Sequence, residues 1–294
     1  MPEAIEIHDP RMRQIVPEGA EVQRVAGGLG FTEGPVWLAD YLLFSDIPNS
    51  RICRWREAPG GPVLTTFRHP SGNSNGLTLD RQQRLLACEH GNRRVSRTEY
   101  DGTIVTVADR YEGKRLNSPN DVVVRTDGSI YFTDPPYGLP HLTEGKELPF
   151  NGVYRIAPDG SLQLLVSDFE RPNGLAFSPD ETTLYVDDSA RRHIRAFPVH
   201  SDGALGDGYL FADMQSPDTG SPDGMKVSED GTIFCTGPGA VWVFSSQGEL
   251  LGRIVPPERP ANLAWGNADR RTLYITAQTS VYRIPLNVRG VAVV

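Results

Sequence analysis

The sequence predicts an all-β fold, a six-bladed β-propeller with four-stranded blades that occupies residues 1–294 as a single domain. Three observations predict it. Short runs rich in Val, Ile, Leu, Tyr and Phe are broken throughout by 30 Gly and 24 Pro, the pattern of many short strands. A polar residue followed by an apolar run recurs six times, at spacings of roughly 40 to 50 residues, which is the period of a propeller blade. Further strand-like series follow the recurrences in the same order.

The first series opens each blade: "EGPVW" from Glu33, "NGLTL" from Asn75, "NDVVV" from Asn120, "NGLAF" from Asn173, "DGMKV" from Asp223 and "NLAWG" from Asn262. The second comprises "LLFSD", "LLACE", "IYFTD", "LYVDD", "IFCTG" and "LYITA". Turn segments such as "RTDGS", "SPDET" and "SEDGT" join the two series as hairpins. Third strands are read in "RICRW", "RRVSRTEYDG", "GVYRIAPDG", "HIRAFPV", "AVWVFSSQG" and "SVYRI", and fourth strands in "PVLTTF", "TIVTVA", "LQLLVS", "GYLFAD" and "ELLGRIV". The sixth repeat lacks a fourth strand. The segment "AEVQRVAGG" at 20–28, ahead of the first motif, is placed to supply it, closing the ring and covering an exposed strand edge.

In a propeller the inner strands line a central channel, so equivalent positions converge on one axis. Glu33, Asn75, Asn120, Asn173, Asp223 and Asn262 then form a ring of polar side chains. Groups confined in this way need water or a cation as partner. All six offer oxygen donors, which suit a hard ion such as calcium better than the usual nitrogen and sulfur ligands of zinc. Glu33 and Asp223 balance a divalent charge. A lone Asn-Gly pair, by contrast, is ordinary turn chemistry.

The formal net charge of −8 and pI near 5.3 argue against partners with phosphate backbones or anionic membrane surfaces. The opening "MPEAIEIHDPRMRQIV" has neither the basic nor the apolar region of a signal peptide, and no apolar run reaches bilayer length. A soluble, cytoplasmic protein, monomeric or weakly dimeric, is the expectation. Cys53, Cys88 and Cys235 are widely spaced and read as small core residues.

The segments "FTEGPVW", "LNSPNDVVV", "RPNGLAFSPD" and "SPDGMKV" resemble the gluconolactonase and regucalcin (senescence marker protein) family of six-bladed propellers, over nearly the whole chain from about Val22 to Leu286. "GKRLNSPNDVVV" with "DGSIYFTDPPYG" is most similar to the bacterial gluconolactonase branch. The resemblance implies a divalent metal, calcium foremost with zinc, manganese or magnesium as alternatives, held by Glu33, Asn120, Asn173 and Asp223. In some members the third-motif Asn contacts substrate instead. It further implies hydrolysis of a sugar lactone, with Asp223 as the catalytic residue that positions or activates water. Relatives that hydrolyse phosphotriesters or other esters, and a non-catalytic propeller stabilised by its ion, are the alternative readings.

Asn75, Asn120, Asn262, Tyr137 and His90 are the expected substrate contacts. His90 lies in the phrase "CEHGN", which family members often carry near the channel mouth. The longest connection, 135–151, is a candidate lid carrying Tyr137 and His141, because long loops in compact folds are usually functional. Arg93, Arg94, Arg191 and Arg192 lie in mouth loops, where they attract an acidic ligand or remain solvated surface. "GNSNG" at 72–76 matches the G-x-S-x-G nucleophile elbow but leads into a strand rather than a helix, so Ser74 is set aside.

Overall fold

In the computed structural model, which describes residues 4–293, six antiparallel sheets form the blades of a propeller. Their inner strands are Thr32–Leu38, Ser74–Leu79, Val122–Val124, Pro172–Phe177, Met225–Val227 and Pro260–Gly266. Blade six takes its outermost strand from Gln23–Ala26, which pairs antiparallel with Ser280–Pro285 in the register Gln23↔Arg283. The expected closure is therefore the observed one.

Two N-terminal elements escaped the sequence reading. Ile5–Ile7 adds a fifth strand to blade five by pairing with Leu250–Ile254. The short helix Met12–Ile15 then buries Met12 and Ile15 among residues of blades five and six. Three residues and one helical turn are too short for any periodicity to show.

The apolar interior is divided into six clusters, each lying between two neighbouring blades. One joins Phe44 and Trp55 of blade one to Tyr274 and Val281 of blade six, and another joins Tyr131 and Val153 of blade three to Leu184 and Val186 of blade four. Every second strand is thus covered on both faces. Its sequence is a continuous apolar run such as Leu42-Leu43-Phe44, each 0% exposed, instead of an alternating one. Outer strands meet solvent, and Val63–Arg68 is mostly exposed.

The inner strands meet around the channel through one repeated device. The residue after the polar motif residue is Gly34, Gly76, Gly174 or Gly224 in four blades. At Gly76 an added Cβ would lie 2.5 Å from the Asn120 carbonyl oxygen and 2.7 Å from Asp121 Cα, while its N–H donates to that same carbonyl at 2.8 Å. The Asn-Gly repeat therefore reflects close approach of backbones, not turns. We expect Gly76→Ala to destabilise the protein by about 2 kcal/mol or more, because the obstructing atoms are backbone and cannot rotate away; a shifted denaturant midpoint at unchanged slope reads this.

Candidate metal and substrate site

Register decides which side chains share a layer. Leu175 pairs with Val186 in blade four, and the equivalent pairs are Val122 with Phe132, Met225 with Cys235 and Leu263 with Ile275. Counting back two residues from each gives Asn173, Asn120, Asp223 and, in blade six, Ala261. Two sets of hydrogen bonds agree. Ser45 Oγ, Thr133 Oγ1 and Thr236 Oγ1 donate at 2.7 Å to the carbonyls of Asn75, Asn173 and Ala261, each in the next blade. Gly76 N and Gly224 N donate to the carbonyls of Asn120 and Ala261.

The ring is thus Glu33, Asn75, Asn120, Asn173, Asp223 and Ala261, with five polar members. Asn262 stands one step deeper, at the glycine position. The error has a simple origin: "ANLAW" aligns with "NGLAF", and Asn-for-Asn matching slipped the repeat by one residue. The only other side chain among the described residues at that depth is Asp121, which replaces the glycine of blade three, and Asn262 Nδ2 lies 3.4 Å from Asp121 Oδ2. Asn262 also donates to Glu33 Oε2 at 3.0 Å. It does not line the cavity above, so its expected substrate contact is withdrawn.

That cavity, about 380 Å³, opens at one mouth of the channel and is lined by Glu33, Asn75, Asn120, Asn173 and Asp223 together with His90 and Tyr137. The structure thus brings the remaining predicted residues to one place. Amide donors run one way along its floor: Asn75 Nδ2 to Asn120 Oδ1 at 2.6 Å, Asn120 to Asn173, and Asn173 Nδ2 to Ser189 Oγ at 3.0 Å. Ser189 Oγ in turn donates to the Pro222 carbonyl at 2.7 Å, fixing the residue before Asp223. His90 Nε2 sits 3.2 Å from Asn120 Oδ1 and 3.3 Å from Asn75 Nδ2. Burial pulls its pKa down to about 4, so the ring is neutral at neutral pH.

Electrostatically the floor is crowded with acid. Burial first, and then the charge of Asp121, pushes Glu33 up to about 7. Asp223 is held well above the usual carboxylate range by burial, then by Glu33 and Asp121. Asp121 is itself raised by burial, and Lys226 partly offsets this from below, where its Nζ donates to the Met225 carbonyl at 2.9 Å. Asp187 adds a fourth acid, raised by burial and by Asp223; its Oδ1 has no hydrogen-bond partner among the described residues. Asp187 occupies the second-strand position where Ser45, Thr133 and Thr236 place hydroxyls. Sequence reasoning missed both Asp121 and Asp187. The signal was available, because each departs from what the aligned repeats carry at the same position.

The 135–151 connection is anchored rather than free. Arg93 donates to the Gly145 carbonyl at 2.8 Å, Asn117 Nδ2 to the Phe150 carbonyl at 2.9 Å, and Leu139 and Leu148 are buried. Tyr137 reaches the cavity, whereas His141 points outward and is exposed. The four mouth-loop arginines, read as drawing an acidic ligand or as solvated surface, have partners within the chain: Arg93 the backbone carbonyls, Arg94 Glu89, Arg191 near Asp188 and Glu170, and Arg192 the Ser216 carbonyl. Among the described residues there is no cluster of three His, Cys, Asp or Glu in ligand geometry, since half of the oxygen donors here are amides. No helix among them is long and apolar enough to cross a membrane.

The chain is a propeller whose channel mouth gathers carboxylates and asparagine amides, and it belongs to a known family: residues 31–279 match the SMP-30/gluconolactonase/LRE-like region. Within that family the chain is 34% identical to a gluconolactonase of Zymomonas mobilis over 94% of its own length and 84% of the relative's. It is 30% identical to a pentonolactonase of Haloferax volcanii, covering 83% and 80% of the two chains. Among solved structures it superposes on a gluconolactonase of Xanthomonas campestris with a TM-score of 0.87 at 38% identity, covering 96% and 94%.

Proposed function

We propose that the protein is a divalent-metal-dependent hydrolase that opens a sugar lactone. The observation that carries this reading is the convergence of Glu33, Asn120, Asn173 and Asp223 on one cavity, in a chain similar over most of its length to lactonases. The donor set fits a hard cation: every candidate ligand atom is oxygen, and the acids crowd one another, Asp121 raising Glu33 and both of them raising Asp223, in a way that an added positive charge relieves. Such an ion, when bound, supplies Lewis-acid polarisation of the lactone carbonyl.

The chain's own residues do the rest. Asp223 holds a water against the carbonyl carbon, takes its proton as the new C–O bond forms, and returns that proton to the ring oxygen as the ring's acyl C–O bond breaks. Ser189 and Asn173 fix the backbone and side chain around it. Asn75, whose Oδ1 is buried without a partner among the described residues, and neutral His90 are placed to hydrogen-bond the sugar hydroxyls, with Tyr137 above.

Chelation tests the reading. Activity towards glucono-δ-lactone is expected to vanish on removal of the metal and return with calcium, while the far-ultraviolet dichroism stays that of a propeller. Loss of the fold together with absence of any lactone turnover would instead mark a purely structural ion. The stabilisation given by calcium should also grow as pH rises. Folded, metal-free Glu33 titrates near 7 against 4.5 unfolded, so between those values the folded state binds more protons and its stability falls with rising pH. The same proton competes with the metal below pH 7. Melting temperatures with and without calcium at pH 5, 6, 7 and 8 should therefore diverge; parallel curves would exclude Glu33 as a ligand.

A further inference from the structure

Two cations of the cavity wall have no role in the chemistry above. Arg171, from the loop entering blade four, and Arg259, from the loop entering blade six, both line the cavity, on segments that flank Gly220–Asp223 of blade five. Neither guanidinium makes a hydrogen bond or ion pair among the described residues, although most arginines of this chain do so. The acids beside them are engaged elsewhere: Glu170 faces Arg191, and Glu258 accepts from Thr279 at 2.8 Å and from Tyr282 at 3.0 Å. The charge of Arg259 acts on Asp223 and that of Arg171 on Tyr137, which places both within electrostatic reach of the site. With a divalent ion set against Glu33 and Asp223, the two guanidiniums are left at the cavity wall without an acidic partner.

We propose that Arg171 and Arg259 form an anion-binding subsite, so that this cavity selects lactones bearing a second, negatively charged substituent such as a phosphate, sulfonate or carboxylate. The proposal rests on the lactone reading for its substrate class, but not for its test. Guanidinium forks match the oxygens of these groups, and unpaired forks incur no loss of an internal partner when the ligand arrives.

Binding of acyclic acids to the calcium-loaded protein, freed of excess metal, reads the subsite without turnover. By calorimetry at low salt, 6-phosphogluconate is expected to bind about tenfold or more tightly than gluconate, with the ratio shrinking at high ionic strength. In the double variant Arg171→Met/Arg259→Met the ratio should approach 1, and Arg171→Lys/Arg259→Lys should restore part of it. D-glucarate identifies whether a carboxylate serves as well as a phosphate. Equal affinities in the unaltered protein, or a preference that survives both methionine substitutions, would overturn the proposal. A chain that opens glucono-δ-lactone without any anion preference sinks the subsite alone. A chain that opens no lactone yet keeps the preference sinks the hydrolase reading and leaves the subsite standing.

Discussion

Removal of residues 1–28 is expected to leave a chain that no longer melts cooperatively. The deletion takes away the Gln23–Ala26 strand that completes blade six, so Ser280–Pro285 becomes an unpaired edge and the ring opens. It also removes Met12, Ile15 and Val16, exposed by 0%, 4% and 7%, from the seam between blades five and six. Three such side chains contribute roughly 5–9 kcal/mol by burial alone, which is comparable to the whole stability of an ordinary domain, about 5–15 kcal/mol. Calorimetry and size-exclusion chromatography of the truncated chain measure this. A shorter deletion, of residues 1–8, removes only the added strand Ile5–Ile7 and should lower the melting temperature while preserving one transition. A sharp, unshifted transition in the longer deletion would refute the role given to the closure strand.

Asp223→Asn is expected to reduce lactone hydrolysis by about three orders of magnitude, the scale of losing a positioned general base, while the protein keeps its fold and binds metal more weakly. A second effect runs the other way. Asp223 is one of several acids pressed together on the cavity floor, and its charge raises the pKa of buried Asp187. Making it neutral should therefore raise the melting temperature of the metal-free protein, the opposite of what most substitutions at buried polar positions do. Rates at saturating calcium, metal content and metal-free melting together separate the outcomes. Full activity with metal bound would remove Asp223 from the chemistry, and a lower metal-free melting temperature would show that its contacts, rather than its charge, dominate.

The fold was legible because its signal is repeated. Continuous apolar second strands such as Leu184–Val186 report burial on both faces, and six copies average out local ambiguity. The shared cavity of the candidate site was legible wherever polar residues fell in register, as at Glu33, Asn173 and Asp223. It failed where matching letters disagreed with matching geometry: Asn262 lies one residue past the ring, a displacement visible only through the pairing of Leu263 with Ile275 and the hydrogen bond from Thr236 to Ala261. Charge was the least legible property. Arg93, Arg94, Arg191 and Arg192 are as prominent in the sequence as Arg171 and Arg259, yet only the structure shows which guanidiniums are already spent on carbonyls and carboxylates. Partnership between side chains distant in the chain leaves no periodic trace.

Joining Gln23–Ala26 to Ser280–Pro285 also sets an order of events during synthesis. The earlier strand must wait for the later one, because its partner emerges from the ribosome only after about 250 further residues, tens of seconds later at ordinary elongation rates. Until then the nascent protein is an open arc with a bare flank at each end. Over that interval the exposed strand edges, rather than a closed ring, are what the cell must keep from aggregating.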